Sequence, residues 1–166
     1  MRALKTLALI ATLAASGCGG GDDDDGNPTG PPGGASNGSL TAQVNGTGWS
    51  ATGAITVSRQ QPNYIGLAGS GSAGNTIYGF AVGISNATGP GTHNLNVFSG
   101  GDGSSLVIAN SSGAGWTTSL QGGSGTLTIT SLTANRIVGT FSGTLVPAGH
   151  TAANLVITSG TFDVTF

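Results

Sequence analysis

Glutamate is absent from these 166 residues, and the single lysine is Lys5. Lys and Arg together number four, Asp and Glu six, with two histidines and one cysteine. Four of the aspartates form one run, Asp22 to Asp25, so Asp102 and Asp163 are the only later acidic side chains. Each shortage excludes a chemistry. A phosphate-binding loop needs Gly-x-x-x-x-Gly-Lys, and no lysine follows residue 5. Glycosidases ordinarily need two carboxylates facing a sugar. Asp102 lies in a glycine loop, and Asp163 alternates with Phe162 and Val164, so it is expected to face solvent. Arg59 and Arg136 balance these two acids and make no basic stripe for nucleic acid.

A serine hydrolase would have to combine His93 or His150 with Asp102 and a serine. Both histidines sit in turn-rich stretches, Pro90-Gly-Thr-His-Asn and Pro147-Ala-Gly-His-Thr, where a solvated role is expected. Zinc would draw on the same three residues, without the close ligand spacing of a recognisable site. The glycines around Asp102 fit a calcium repeat poorly, because Ser105 stands where the ligand acid belongs. The expectation is a non-enzymatic protein with no metal and no cofactor, a hydrolase being the distant alternative.

What the chain does have is glycine, threonine, serine and asparagine, which make up half of it. It also has an ordered beginning. Arg2 and Lys5 precede a nearly apolar run, Leu7 to Ala15, and small residues lead into Cys18. This is the layout of a secretory signal peptide over 1–17, too short to span a bilayer at about 20 residues. Ala15-Ser16-Gly17-Cys18 resembles the lipobox of bacterial lipoproteins, in which the cysteine is lipidated and becomes the new N-terminus. Cys18 has no possible intramolecular partner, so lipidation also accounts for an exported thiol. Each acyl CH₂ buried contributes about 0.8 kcal/mol, and the membrane is the expected partner through that anchor. Residues 18–38, with Asp22 to Asp25 and Gly/Pro clusters, read as a tether with nothing apolar to bury. Its length reaches at most about 66 Å extended.

From 39 to 166 apolar residues recur with period two between turn residues. Leu40, Ala42 and Val44 alternate up to Asn45-Gly46; Tyr78, Phe80, Val82 and Ile84 form the most regular run. Leu95–Phe98, Leu106–Ala109, Trp116–Leu120, Thr126–Leu132, Arg136–Val146 and Leu155–Phe166 continue the pattern. About ten short strands predict an all-β domain, an antiparallel β-sandwich. Gly79, Gly83, Gly139 and Gly143 fall inside strands, where close packing of a facing chain is the expected reason.

The C-terminal third carries Ser124-Gly-Thr-Leu-Thr-Ile-Thr-Ser-Leu-Thr-Ala-Asn-Arg-Ile-Val-Gly-Thr-Phe141 and Val156-Ile-Thr-Ser-Gly-Thr-Phe-Asp-Val-Thr-Phe166. With Ala42-Gln-Val-Asn-Gly-Thr-Gly-Trp-Ser-Ala51, it resembles a family of small bacterial lipoproteins of unknown function. The resemblance implies a lipidated, exported β-sandwich, on the outer membrane because the family's bacteria are mostly double-membraned. It brings no catalytic residues.

Binding is the function left open. Trp49 and Trp116 share the context Gly-x-Gly-Trp-(Ser/Thr)-x-(Ser/Thr). Either each indole plugs the core, as Trp is highly buried on average, or the pair forms a stacking platform for sugar rings. In the second case Asn45, Asn110 and neighbouring hydroxyls would bind the sugar. The expected partner is an envelope glycan or protein. A near-zero net charge also favours association with another chain.

Overall fold

The computed structural model describes residues 34–60, 63–96, 101–149 and 152–166. The signal segment, Cys18, the aspartate run and His150 lie outside the described residues. Twelve strands follow one another: β1 (Gly34–Ser36), β2 (Gly38–Val44), β3 (Thr47–Ala51), β4 (Ile55–Gln60), β5 (Tyr64–Ala73) and β6 (Thr76–Ile84). Then come β7 (Gly91–Asn94), β8 (Ser105–Asn110), β9 (Gly115–Thr117), β10 (Ser124–Leu132), β11 (Arg136–Pro147) and β12 (Leu155–Thr165). Every pairing is antiparallel, and no helix occurs among the described residues. Strand structure begins at Gly34, a few residues before the boundary expected at 39, because β1 adds to β4.

The expectation of two separate sheets is where the structure differs. Following hydrogen-bonded neighbours from β5 through β3, β2, β12, β11, β9, β8 and β6 returns to β5, so eight strands close a ring. The other four strands extend ring members. β1 and β2 lie against β4 and β3 in one register, from Val44↔Thr47 to Ser36↔Ile55, around the Asn45-Gly46 turn. Likewise β7 and β8 pair β10 and β9, which both lie along β11. The twelve pieces therefore act as eight long strands, each paired to the next in sequence and the last to the first. That is an up-and-down barrel. Closure removes the two exposed edges that an open sheet presents to other chains.

Alternation decides what fills it. Leu40, Ala42, Val44, Phe80, Val82, Ile84, Ile137, Phe141, Phe162 and Val164 point inward and are buried. Eight strands leave an interior just wide enough for side chains to fill. An aromatic chain crosses it: Trp49 stacks on Phe80 at 3.9 Å between centroids, Phe80 meets Phe141 at 6.4 Å, and Phe141 meets Phe162 at 6.4 Å. Outward positions are mostly Thr, Ser, Asn and Gly, the inverse of the apolar-out pattern of barrels embedded in lipid.

Of the four strand glycines, Gly139 and Gly143 behave as packing devices. A Cβ on Gly139 would collide with the Thr128 carbonyl and the Phe162 ring; one on Gly143 would lie 2.7 Å from the Ser124 carbonyl. Gly83 is covered by the Tyr64 ring. At Gly79 a Cβ would meet only the Ala109 carbonyl oxygen, at an ordinary 4.0 Å, so close packing does not explain it.

Candidate functional site

Both indoles lie in the core. Trp49 is 3% and Trp116 6% exposed, and their N–H groups donate to the carbonyls of Tyr78 (3.3 Å) and Ala153 (2.9 Å). Neither offers a face to a sugar ring, so the stacking platform gives way to the core reading. The reason is local. Trp49 follows a two-residue turn and alternates with exposed Gly48 and Ser50, which directs its ring inward.

Asn45 and Asn110 are structural as well. Asn45 holds φ at 48°, and its Oδ1 accepts from Val156 N–H at 2.9 Å while its own N–H donates to the Val156 carbonyl. That ties the first hairpin to β12. Asn110 Oδ1 accepts from Ser112 N–H, Ser112 Oγ and Ala114 N–H, at 2.8 to 3.1 Å, and organises the β8–β9 turn.

His93 departs from the solvated loop residue expected. It sits in β7, 7% exposed, with Nδ1 2.6 Å from Asp102 Oδ2. Asp102 Oδ1 accepts from Ser104 N–H at 3.0 Å. Burial pushes the Asp102 carboxyl up, but hydrogen bonds from Ser104 and His93, with the imidazole's charge, outweigh it and hold it below the usual carboxylate range. The three residue types of a hydrolase thus meet, in the wrong order. The carboxylate lies between hydroxyl and imidazole, whereas nucleophilic catalysis puts the imidazole in the middle. Ser104 is fully buried, and its Oγ accepts from Ser85 N–H at 3.0 Å. This is a brace across the break between β7 and β8. Sequence reasoning also passed over Gly34-Ala-Ser-Asn-Gly38, which has the spacing of a nucleophile elbow. It runs as β1 into β2, without the strand-to-helix turn that such an elbow needs.

The remaining charges among the described residues serve the structure. Arg136 clasps Asp163 through two hydrogen bonds, 2.8 and 2.6 Å, which hold the Asp163 carboxyl low. Arg59 donates to the carbonyls of Ala134 (2.9 Å) and Thr133 (3.3 Å) and lies 4.1 Å over the Phe166 ring.

The concave surface with the right character lies outside the barrel. A furrow of about 670 Å³ crosses β7, β10, β11 and β12. Thr92 and Asn94 form one wall; Val156, Ile157 and Thr158 form the other. Between them stand Ser124, Thr126, Ser142 and Thr144, over a floor where Gly125 faces Gly143. The buried amide of Asn96, donating to the Gly123 carbonyl, closes one end. A second hollow of about 300 Å³ shares Thr126 and Ser142 and continues past Thr140 and Thr161. No ionisable side chain lines either among the described residues.

Irregular backbone shapes this face. Register shifts mark two bulges, one in β10 between Ile129 and Ser131, the other in β12 between Thr158 and Thr161, where the extra residue offsets the pairing to both β11 and β2. Ser159, at the last, takes φ of 50°, uncommon for a residue with a side chain. Bulges bend a strand and re-aim its side chains, and they concentrate near functional sites. Among the described residues, no group of three His, Cys, Asp or Glu is placed to hold a metal ion.

No family model, curated protein or solved structure matches this chain.

Proposed function

We propose that this chain is a lipid-anchored, non-enzymatic binding module of a bacterial cell envelope, whose barrel carries an external furrow for a neutral glycan. The anchor reading rests on Cys18 and its flanking residues, and an outer-membrane location rests on the lipoprotein resemblance. The observation that carries the ligand class is the furrow's lining: hydroxyls and amides beside apolar Val156 and Ile157, with no ionised side chain among the described residues. A site made of such groups gains little from a charged ligand, whose desolvation nothing there would offset. It matches a ligand that both donates and accepts, since each hydroxyl supplies one donor and two acceptor positions. A furrow of about 670 Å³ falls within the usual range for small-ligand sites. Among the described residues no ionisable group stands beside its hydroxyls to activate them, and retention of a ligand is the activity we assign.

The test is calorimetric titration of the full-length chain in detergent micelles with neutral glucan, xylan and mannan oligosaccharides, beside anionic polygalacturonate. Neutral binding that Ser142→Arg weakens at least about tenfold, a cost of about 1.4 kcal/mol, supports the reading. Ser142 is exposed, so the variant should melt like the wild type. Binding confined to the anionic polymer, or untouched by Ser142→Arg, refutes it.

A further inference from the structure

The furrow is part of a longer pattern that the strand registers disclose. Thr92 pairs with Thr128, Thr128 with Thr140, Thr140 with Thr161, and Thr161 with Thr41. Five threonines from five strands thus form one line at right angles to the chain, and Ser50 on β3 extends it. Adjacent strands lie about 4.8 Å apart, so the line from β7 to β2 is about 19 Å long. The side chains follow the register. Thr41 and Thr161 hydroxyls are 2.8 Å apart, and those of Thr92 and Thr128 are 3.2 Å apart. A second line, Asn94, Thr126 and Ser142, runs beside the first through the furrow.

We infer that the ligand is a linear, uncharged polysaccharide, laid across the strands and gripped along its interior rather than at a chain end. The inference rests on the glycan reading of the furrow and adds the direction and length of the contact. Three features carry it. The hydroxyl line runs on past the furrow, onto β2 and β3, so nothing there marks a terminus. The same side chain recurs at each step, which suits a polymer offering the same group at each repeat. Threonine is β-branched and stiff at χ1, so less rotamer freedom is lost when these hydroxyls are engaged. With the tryptophans buried, sugars would be read by hydroxyl edges and not by stacking.

The experiment compares chain lengths on the full-length protein in micelles, using xylose, xylotriose and xylohexaose and the matching glucan and mannan series. In the series that binds, affinity should climb from monomer to hexamer. Thr140→Val, which removes a hydroxyl while keeping shape, should weaken the hexamer about two- to tenfold, the cost of one net hydrogen bond. Thr41→Val should weaken the hexamer and leave the trimer unchanged, because Thr41 lies beyond the furrow. Equal affinity for monomer and hexamer overturns the chain-across-strands inference and leaves the furrow reading standing. So does hexamer binding that is lost with Ser142→Arg but indifferent to both valine variants. Failure of every neutral sugar sinks both. Melting temperatures close to wild type for the two variants show that the comparison is between folded proteins.

Discussion

Gly160→Ala should cost more than any other single methyl added to β12, for reasons visible in one pair of strands. Gly160 faces Phe141 across the β11–β12 ladder, and two steps along, Gly139 faces Phe162. Each ring covers the glycine opposite, an exchange that fills the space a side chain would occupy. A Cβ at 160 would stand 2.5 Å from the Phe141 carbonyl oxygen and 2.6 and 2.7 Å from two ring carbons. Carbon atoms rest at about 3.5–4.0 Å, so roughly 1 Å must be found. The ring cannot swing aside, being 3% exposed and wedged between Phe80 and Phe162. Overpacking of this kind costs about 1–3 kcal/mol, and the carbonyl contact places it in the upper half. Alanine restricts the unfolded chain and returns about 0.4–1 kcal/mol. The net is about 2 kcal/mol, or a melting temperature lower by roughly 6–8 °C for a domain of this size. Thermal unfolding followed by circular dichroism would read it. If the ring is the main obstacle, Phe141→Leu with Gly160→Ala should lose about 1 kcal/mol less than the two single changes added together. A Gly160→Ala protein melting within about 2 °C of wild type would refute the ring-over-glycine argument.

Other predictions touch separate links. Asp102 is held below its ordinary value of 3.8, so the unfolded chain binds more protons in that window and stability rises with pH through it. The His93–Asp102 brace should be fully present above about pH 4 and lost as pH falls through the lowered value. Asp102→Asn should destabilise at pH 7 and match wild type in strong acid; a constant gap down to pH 2 in urea titrations would contradict this. Trp49 and Trp116 should emit at blue-shifted wavelengths and resist acrylamide, and efficient quenching of either would remove it from the core. Cys18→Ala should move the chain from membrane to soluble fractions, and unchanged fractionation with an unmodified N-terminal mass would end the anchor proposal. Asp163→Asn should barely move the melting temperature, because exposed ion pairs contribute little; a large drop would show that the Arg136 clasp carries more than its exposure suggests.

The elements that could be read from sequence are those whose inward residues are large. β2, β6, β11 and β12 were legible because Leu, Phe, Val and Ile recur on their inward faces, with only Ala or Gly between them. β3 and β7 were not. Thr47-Gly-Trp-Ser-Ala51 reads as a turn around a tryptophan, yet its pairing to β2 makes it strand. Gly91-Thr-His-Asn94 looks like loop, yet it pairs with β10. Of the strand expected at 95–98, Leu95 and Asn96 lie past the end of β7 and 97–98 lie outside the described residues; His93, an inward residue that periodicity counts as polar, hid β7 itself. Glycine misleads in the same way at Gly71, where Gly71 to Gly74 reads as a stop after Ser70 although β5 runs on to Ala73. A Cβ there would clash with the Ser50 carbonyl, so glycine marks a close strand and not a stop.

Why the candidate site was hidden follows from the same geometry. Tryptophans draw attention in a sequence because they are rare, and burial then took both away. Threonines do not, being 22 of 166 residues with no local pattern to single out the five of the row. What gives five of them meaning is register, which joins Thr41 to Thr161 across 120 positions of chain. Register here also depends on two bulges, in β10 and β12, and a shift of one residue would send the row's side chains to the opposite face. No inspection of one strand could supply that. Outward Thr, Ser and Asn keep this barrel hydrated despite its low charge, and they are also the groups that hydrogen-bond sugar hydroxyls. Composition therefore raises the expectation of a contact surface before any residue can be assigned to it. The proposal places that surface on the strands where bulges and facing glycines make the barrel wall concave.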